Sequence, residues 1–380
     1  MRLALPPLSL YIHIPWCVQK CPYCDFNSHA QRGALPEAQY IQCLLDDLHD
    51  EQQRAQGRDI QSIFIGGGTP SLFHPDSYQR LFHEINQIIP ISSAAEITLE
   101  ANPGTFEKEK FKGYRSAGIN RLSIGIQSFN NDHLKALGRI HSANEAVQAA
   151  ESARELFPRL NLDLMHGLPK QTADSALCDL AQAIQLQPDH LSWYQLTIEP
   201  NTEFAVRPPP LPVDETLWSI QEQGQNQLSN AGFSQYEISA YAQGEQYQSV
   251  HNRNYWTFGD YLGIGAGAHG KITYPEQDLI IRRWKQKQPK AYMNPATRLV
   301  GEEPISRDER AFEFMLNALR LHDGAAIDLF QSRTGLSRNE ILPTLNMAEK
   351  KQLLEKSSEH LRPTPHGRLF LNDLLALFLD

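Results

Sequence analysis

The chain has 380 residues and a mass of 43.1 kDa, with 41% hydrophobic and 21% charged residues, which excludes both a single small module and a wholly disordered chain. The net charge of −9 gives no general attraction to nucleic acid or to anionic lipid, so we expect no nucleic-acid partner. No apolar run approaches the roughly 18 residues that a membrane helix needs, and Pro6 and Pro7 interrupt the apolar start, so we expect a cytoplasmic protein.

Six short apolar runs, rich in β-branched residues, alternate with helical patterns along the first half of the chain. The runs begin at Leu8, Ser62, Glu96, Arg121, Leu160 and His190. The segments between them, such as the one from Glu37, space their apolar residues at the helical period and are long enough for crossover helices. This alternation predicts an α/β fold with a parallel sheet, specifically a partial (β/α)6 barrel with its helices outside.

Polar residues close several of these predicted strands. They are the Gly66-Gly67-Gly68-Thr69-Pro70 segment, Glu100, Gln127 and, within the fifth strand, Asp163. The carboxyl ends of parallel strands meet at one edge of the fold, where such enzymes place their chemistry. A charged group in an apolar strand is costly unless it is paired, so we expect these side chains to form one ligand site.

The rest of the chain divides into two further regions. Residues 1–207 form the predicted barrel with its cysteine loop, and the proline-rich segment from Arg207 to Pro212 predicts a stiff connector. Residues 208–306 hold that connector and an added α/β region that is rich in glycine and aromatic residues. Residues 307–380 carry helices around a short β segment, which predicts a winged-helix-like module. Its nearly balanced charge favours protein contacts over DNA binding.

The most specific chemical signal is the spacing of Cys17, Cys21 and Cys24 in one loop after the first strand. Three thiolates can hold three irons of a [4Fe-4S] cluster and leave the fourth iron open to an external ligand. The alternative is a zinc site, which prefers four protein ligands, and the sequence has no second cysteine pair. The other two cysteines, Cys43 and Cys178, lie in helical patterns and are expected to be small buried side chains.

These residues carry a family resemblance. The Cys17–Cys24 loop and the GGGTP segment resemble the radical S-adenosylmethionine (SAM) superfamily. The segments YIHIPWC, CPYCDFNS, IGGGTPS, EANPGT, IGIQSF, LGRIH, DLMHGLP and HNRNYW resemble, more narrowly, the HemW haem chaperones, which are related to the oxygen-independent coproporphyrinogen III dehydrogenases. The resemblance covers nearly the whole chain. It implies that SAM chelates the open iron and that one-electron reduction cleaves it.

The resemblance also implies which residues hold SAM. Gly67, Gly68 and Thr69 match the segment beside its methionyl amine. The polar residues matched to SAM binding are Glu100, Gln127, Arg139 and Asp163. Tyr11 and Tyr23 match aromatic positions that pack beside the cluster and the adenosine. The alternative is that the polar residues form a buried ion-pair network and that the tyrosines are core residues.

Phe26 separates the two branches of this family. The dehydrogenase pattern has a further cysteine two residues after the third, whereas this chain has Phe26 there. The dehydrogenases also have a longer arm before the first strand. Both differences favour the HemW branch, with coproporphyrinogen III dehydrogenation as the alternative function, and they leave open whether SAM is turned over.

A second motif concerns haem. The segment from His251 to Trp256 matches the HNxxYW motif associated with haem binding in HemW, and a neutral imidazole is a good axial ligand. His269 is a weaker candidate. The basic residues between Arg282 and Lys290 could meet haem propionates or lipid headgroups, or form a solvated loop. The resemblance further implies haem-requiring client proteins, including membrane respiratory enzymes, a homodimer and peripheral membrane contact.

Overall fold

The computed structural model describes residues 2–105 and 107–379. In the first half of the chain the strands are β1 (Leu8–Ile14), β2 (Trp16–Cys17), β3 (His29–Ala30), β4 (Ile60–Gly67), β5 (Ile91–Ala101), β6 (Arg121–Gln127), β7 (Arg159–His166) and β8 (His190–Gln195). The later strands are β9 (Ser234–Glu237), β10 (Ala240–Ala242), β11 (Asp260–Gly265), β12 (His269–Tyr274), β13 (Leu279–Lys285), β14 (Leu299–Pro304), β15 (Ala325–Ala326) and β16 (His360–Leu361).

The helices complete the architecture. In the barrel half they are α1 (Glu37–Glu51), α2 (Pro75–Ile88), α3 (Lys108–Ala117), α4 (Asn131–Ala136), α5 (Ala143–Leu156), α6 (Ala173–Gln185) and α7 (Glu203–Val206). The others are α8 (Asp214–Asn230), α9 (Val250–Trp256), α10 (Pro289–Tyr292), α11 (Arg310–Ala318), α12 (Ile327–Thr334), α13 (Arg338–Lys350), α14 (Pro365–Leu369) and α15 (Leu371–Ala376). Within residues 2–105 and 107–379, none combines the length and apolar character that crossing a bilayer would require.

A parallel sheet forms the core of the barrel half. The predicted strands are all present as β1, β4, β5, β6, β7 and β8, and neighbours in this order pair in parallel. The α/β fold and the partial barrel are therefore confirmed. The sequence reading missed β11, which pairs in parallel with the outer edge of β1 and extends the parallel sheet by one strand.

Antiparallel strands extend both edges of this sheet. The full strand order is β14-β13-β12-β11-β1-β4-β5-β6-β7-β8-β10-β9, so strands from both sides of the proline-rich connector share one twelve-stranded sheet. β12 runs antiparallel to β11 and β13 returns beside it. As a result β12 begins, and β13 ends, at the edge where β11 and the barrel strands have their carboxyl ends.

The last part of the chain packs around its own apolar cluster. Phe314, Phe330 and Leu345 bring α11, α12 and α13 together, and all three side chains are buried. Ala325 of β15 pairs with Leu361 of β16 in a two-stranded antiparallel sheet. Three helices with a small sheet are the arrangement expected of a winged-helix-like module.

Candidate functional site

A cavity of about 320 Å³ opens at the carboxyl end of the barrel strands. Nearly all the residues predicted to bind the cluster or SAM line it. They are Cys17, Cys21, Cys24, Tyr23, Gly67, Gly68, Thr69, Glu100, Gln127, Arg139 and Asp163. The parallel topology thus brings together side chains that are far apart in the sequence, as the strand ends predicted.

The three cysteines of the loop are free and half-buried at the cavity wall. The backbone N–H of Cys24 donates to the carbonyl of Cys21 at 3.1 Å, which turns the loop so that it can present several thiols to one side. Burial raises the pKa of the Cys17 thiol, and hydrogen bonds with Thr69 and Ser28 partly oppose that rise. Within the described part of the chain, no group of three or more Cys, His, Asp or Glu side chains is arranged to hold a single metal ion.

The glycine turn after β4 packs tightly against the start of this loop. Gly67 has a φ of +108°, and a Cβ there would lie 2.3 Å from the imidazole of His13. The N–H of Gly68 donates to Ile14 O and that of Thr69 to Trp16 O, both at 2.7 Å. Only glycine tolerates this φ and this approach, so the turn is fixed relative to β1 and the cysteine loop.

Two half-buried carboxyl groups, those of Glu100 and Asp163, line the cavity. Burial, together with the nearby Asp163 carboxylate, raises the pKa of Glu100 to about 8, although the N–H of Gly67 donates to it at 3.2 Å. Burial also raises the pKa of Asp163, while Asn161 Nδ2 donates to its Oδ1 at 2.7 Å and Ser123 to its Oδ2 at 3.1 Å. Such a pair is suited to accept hydrogen bonds from a ligand that brings positive charge.

Arg139 and Gln127 also line the cavity wall. Gln127 has a φ of +69° at a register shift of β6, a strained backbone that turns its amide into the cavity wall, where Tyr194 donates to its Oε1 at 3.1 Å. Arg139 Nη2 donates to Gly125 O at 2.8 Å, and its Nη1 lies 3.7 Å from Cys21 Sγ. Arg139 Nε has no hydrogen-bond partner among the described residues, so the guanidinium keeps donor capacity that a ligand carboxylate can use.

The sequence reading missed three polar residues within the strands that also line the cavity. Ser123, Ser192 and Tyr194 contribute from β6 and β8. A signal for them exists, because in a strand every second residue faces the same side. In β8 that alternation places His190, Ser192 and Tyr194 on one face. The strand ends alone do not identify these residues, because Ser192 lies in the middle of β8.

Tyr11 is not one of the residues that line the cavity, among those the structure describes. Its hydroxyl lies 2.8 Å from His13 Nδ1, and its ring stacks on Phe64 with 6.0 Å between centroids. Tyr11 therefore packs inside the barrel below the cavity, as in the core alternative for this residue.

His251 lies at the other end of the barrel and is buried, with 4% of its surface exposed. Its Nδ1 is 2.9 Å from Ser249 Oγ and 3.3 Å from Glu96 Oε1, and its ring stacks on Phe64 at 4.1 Å. Glu96 and Glu100 are four residues apart on β5, so the two ends are separated by roughly 13 Å. α9 holds the His251 imidazole inside the barrel, so it is not exposed in this structure, and its role as a haem ligand stays a prediction.

The rest of the HNxxYW motif also has partners within the fold. The ring of Tyr255 meets Tyr261 edge to face at 4.8 Å, and Asn254 Nδ2 donates to Asp260 O at 2.8 Å. The Trp256 ring lies under the Arg320 guanidinium at 4.2 Å. Together with His251 on Phe64, these contacts join α9 to the barrel, to β11 and to the C-terminal module.

A chain of hydrogen bonds connects the two ends of the barrel. Asn161, which donates to Asp163, accepts from His190 Nδ1 at 2.6 Å. Tyr236 lies 2.9 Å from His190 Nε2 and accepts from the N–H of Ser249, the residue that caps α9. Burial holds the pKa of His190 well below its ordinary value, so a neutral imidazole connects these groups.

Two other expectations change. Cys43 is buried as predicted, but Cys178 is exposed, because α6 buries Ala176, Leu180 and Ala183 and turns Cys178 to solvent.

The basic segment has fewer unpaired cations than its sequence suggests. Lys285 is buried between Asp47 and Glu51 at 2.6 Å each, Arg283 pairs with Glu51 and Glu302, and Arg282 pairs with Glu313.

Comparison with known proteins gives the family. Residues 11–181 match the model of the radical SAM superfamily, and residues 305–370 match that of the HemN C-terminal domain. The chain is 54% identical to Heme chaperone HemW of Haemophilus influenzae, over 99% of this chain and 98% of the relative. It is 53% identical to Heme chaperone HemW of Escherichia coli, over 99% of each.

A solved structure agrees with the fold. The coproporphyrinogen III oxidase HemN of Escherichia coli, described as a radical SAM enzyme, superposes with a TM-score of 0.84 and 25% identity over 99% of this chain and 91% of that one. The similarity therefore includes the C-terminal module as well as the barrel. From its full-length similarity to the HemW relatives, the chain belongs to the HemW family of the radical SAM superfamily.

Proposed function

We propose that this protein is a radical SAM haem chaperone, which holds a [4Fe-4S] cluster and SAM, binds haem and delivers it to haem-requiring respiratory proteins. The observation that carries the radical SAM part is one cavity lined by three free thiols, the glycine turn, two half-buried carboxyl groups and the Arg139 guanidinium, whose Nε has no hydrogen-bond partner among the described residues. The haem part is supported by relatives named heme chaperone that align over the whole chain.

In this proposal Cys17, Cys21 and Cys24 hold three irons, and the rest of the cavity holds SAM. A bound cluster supplies the electron that reductively cleaves the sulfonium of SAM. The chain's own residues bind and orient the ligand. Arg139 pairs with the carboxylate of SAM, while Glu100 and Asp163 accept hydrogen bonds from its ribose or ammonium.

The wall around these groups restricts water. Tyr23 packs against Phe204 at 6.4 Å between ring centroids, and Tyr194 covers Gln127, so the polar contacts act in a partly dry site. Electrostatic interactions are stronger in such a site than in open water. Gly67 lets the turn after β4 approach the ligand, because a side chain there would collide with His13.

The alternative function is oxygen-independent coproporphyrinogen III dehydrogenation. The fold similarity to HemN favours it. Phe26 stands against it, since this side chain occupies the place of the further cysteine in the dehydrogenase pattern and is 64% exposed at the cavity edge. The much higher identity to the HemW relatives favours the chaperone.

The proposal also places the protein in the cytoplasm, as a homodimer with peripheral membrane contact when it meets its clients. Lys287 and Lys290 are the exposed cations available for anionic headgroups once the paired residues of that segment are set aside. Each cation near such a surface contributes about 1 kcal/mol.

Anaerobic reconstitution tests the proposal. The protein is loaded with iron and sulfide, the cluster is confirmed by electron paramagnetic resonance, and SAM, reductant, electron acceptor and coproporphyrinogen III are added. We expect no protoporphyrinogen at catalytic turnover, and stoichiometric haem binding by the same preparation. Turnover to protoporphyrinogen would make the protein a dehydrogenase. A Cys21→Ala variant, which cannot hold the cluster, is the matched control for any product.

A further inference from the structure

Gln127 has an unusual backbone for a residue that lines the cavity. Its φ of +69° lies in the left-handed region, which is unfavourable for a residue with a Cβ. The pairing of β6 with β7 also changes register between Gly125 and Gln127. Such a conformation persists only where the surrounding contacts fix it, and it is most often found at functional sites. The contacts on both sides of Gln127 therefore show what holds it.

Two carbonyl groups before Gln127 accept hydrogen bonds from residues further along the same segment. Arg139 Nη2 donates to Gly125 O at 2.8 Å, and His141 Nε2 lies 3.0 Å from Ile126 O. Burial and the nearby Arg139 cation lower the pKa of His141 to about 4, so its neutral ring donates from Nε2 to this carbonyl. The end of β6 is thus fixed on the side that precedes Gln127.

The carboxylate of Asp179, on α6, holds the two residues that follow Gln127. Ser128 Oγ donates to its Oδ2 and the N–H of Phe129 donates to its Oδ1, both at 2.7 Å. Ser128 is fully enclosed and Asp179 is 5% exposed, so water does not compete for these hydrogen bonds. α6 thus fixes the chain immediately after the left-handed residue.

The charge of Asp179 is costly in this position. Burial raises the pKa of Asp179 to about 6, and the hydrogen bonds from Ser128 and Phe129 partly oppose that rise. The side chain is therefore ionised at pH 7, and both of its oxygens act as acceptors. An apolar side chain would fill the same space without this cost. A carboxylate here indicates that fixing the segment after β6 matters more than packing alone.

The position of the Gln127 amide depends on this backbone. Its Oε1 accepts from the Tyr194 hydroxyl at 3.1 Å, and a Cβ on Gly125 would lie 3.0 Å from its Nε2. The amide is enclosed between these two neighbours, which leaves the side chain little room to adjust. A change in the Gln127 backbone would therefore move the amide out of its place in the cavity wall.

We propose that Asp179 is a positioning residue for SAM, which holds Gln127 in its left-handed conformation so that the Gln127 amide can contact the ligand. The inference rests on the proposed function, because it takes SAM as the ligand of the cavity. Asp179 is not one of the described residues that line the cavity. It acts through Gln127 and does not touch SAM itself.

Equilibrium dialysis of SAM against the cluster-loaded, full-length protein tests this role. We expect Asp179→Ala to weaken SAM binding by about tenfold, which corresponds to about 1.4 kcal/mol. In a Gln127→Ala background the same substitution should change the affinity by less than about threefold, because the side chain through which Asp179 acts is already removed. A purely structural role of Asp179 would give the same loss in both backgrounds.

Asp189→Ala is the matched control. Asp189 is 7% exposed and also accepts a backbone N–H, that of Leu160 at 3.0 Å, but it does so at the beginning of β7, away from the cavity. This variant should bind SAM as the unmodified protein does.

Two further measurements support the test. Ser128→Ala removes one of the two hydrogen bonds to Asp179 and leaves little empty space, so it should weaken SAM binding by about threefold, and it replaces Asp179→Ala if that variant does not fold. Hydrogen exchange of the unloaded protein needs neither cluster nor SAM. The Phe129 amide should exchange faster in Asp179→Ala than in the unmodified protein, because it loses its buried acceptor.

The outcomes separate this role from the proposed function. If the unmodified, cluster-loaded protein binds no SAM, the proposed function and the role of Asp179 both fail. If it binds SAM, and Asp179→Ala leaves the affinity unchanged or Asp189→Ala weakens it equally, the role of Asp179 fails while the proposed function stands. A tenfold loss that persists in the Gln127→Ala background would also overturn the role, because Asp179 would then not act through Gln127.

Discussion

Glu96 and Glu100 face the same barrel interior on β5, yet their environments move the two pKa values in opposite directions. Burial alone would raise the pKa of Glu96, but the hydrogen bond from His251, the Arg121 cation and the N–H of Val250 outweigh it and lower the pKa to about 2. Burial and Asp163 instead raise the pKa of Glu100 to about 8. Two isosteric substitutions, Glu96→Gln and Glu100→Gln, should therefore have opposite effects on stability.

The magnitudes follow from the two pKa values. A carboxyl whose pKa falls from 4.5 to about 2 on folding contributes about 3 kcal/mol above pH 5, and this contribution is lost as the pH falls towards 2. A carboxyl whose pKa rises from 4.5 to about 8 costs about 3 kcal/mol at pH 7, and the cost grows as the pH rises from 4.5 to 8. Glu96→Gln should lower the free energy of unfolding at pH 7, whereas Glu100→Gln should preserve or raise it.

Urea unfolding of the unloaded protein, followed by tryptophan fluorescence from pH 5 to pH 8, measures both effects. Glu96→Gln should also leave the buried Arg121 without its carboxylate partner. The decrease in the free energy of unfolding of this variant should therefore be at least as large as the pKa of Glu96 indicates. In Glu100→Gln the decline in stability between pH 5 and pH 8 should be reduced. Equal destabilisation by the two substitutions, or a larger loss for Glu100→Gln, would refute this account of the barrel interior.

Three further predictions concern the cavity and the module contacts. Arg139→Lys should weaken SAM binding by roughly tenfold in equilibrium dialysis, because lysine cannot form the paired hydrogen bonds of a guanidinium, and unchanged affinity would remove Arg139 from the SAM site. Gly67→Ala should destabilise the fold by about 1–3 kcal/mol, since φ is +108° and the added Cβ meets His13; a urea midpoint equal to that of the unmodified protein would contradict this. Arg320→Ala removes both the contact with Trp256 and the ion pair with Glu237, so limited proteolysis should cut the C-terminal module faster, and an unaltered digestion rate would exclude these contacts as its anchor.

The sequence predicted the barrel and most of the cavity because both depend on short-range patterns. The alternation of apolar runs with helical spacing identified β1, β4 and the other barrel strands, and parallel topology placed their polar ends together. Glu100 and Asp163 could be found in this way without any tertiary information. The thiols of the cysteine loop needed only their spacing.

The remaining features depend on long-range pairing that sequence patterns do not encode. β11 joins β1 across more than 240 residues of chain, so nothing local marks it as a parallel neighbour. The environment of His251 is likewise set by Glu96 and Phe64, which lie far away in sequence. Lys285 looked like part of a solvated basic segment because its partners, Asp47 and Glu51, belong to α1.

Transfer of haem to a client tests the central claim most directly. The protein, loaded with its cluster and with haemin, is mixed with the haem-free form of a respiratory membrane enzyme in lipid vesicles, and the haem spectrum and activity of that enzyme are followed. The account predicts that the client gains haem and activity faster than from the same amount of free haemin. Equal reconstitution from free haemin and from the loaded protein would contradict a chaperone function.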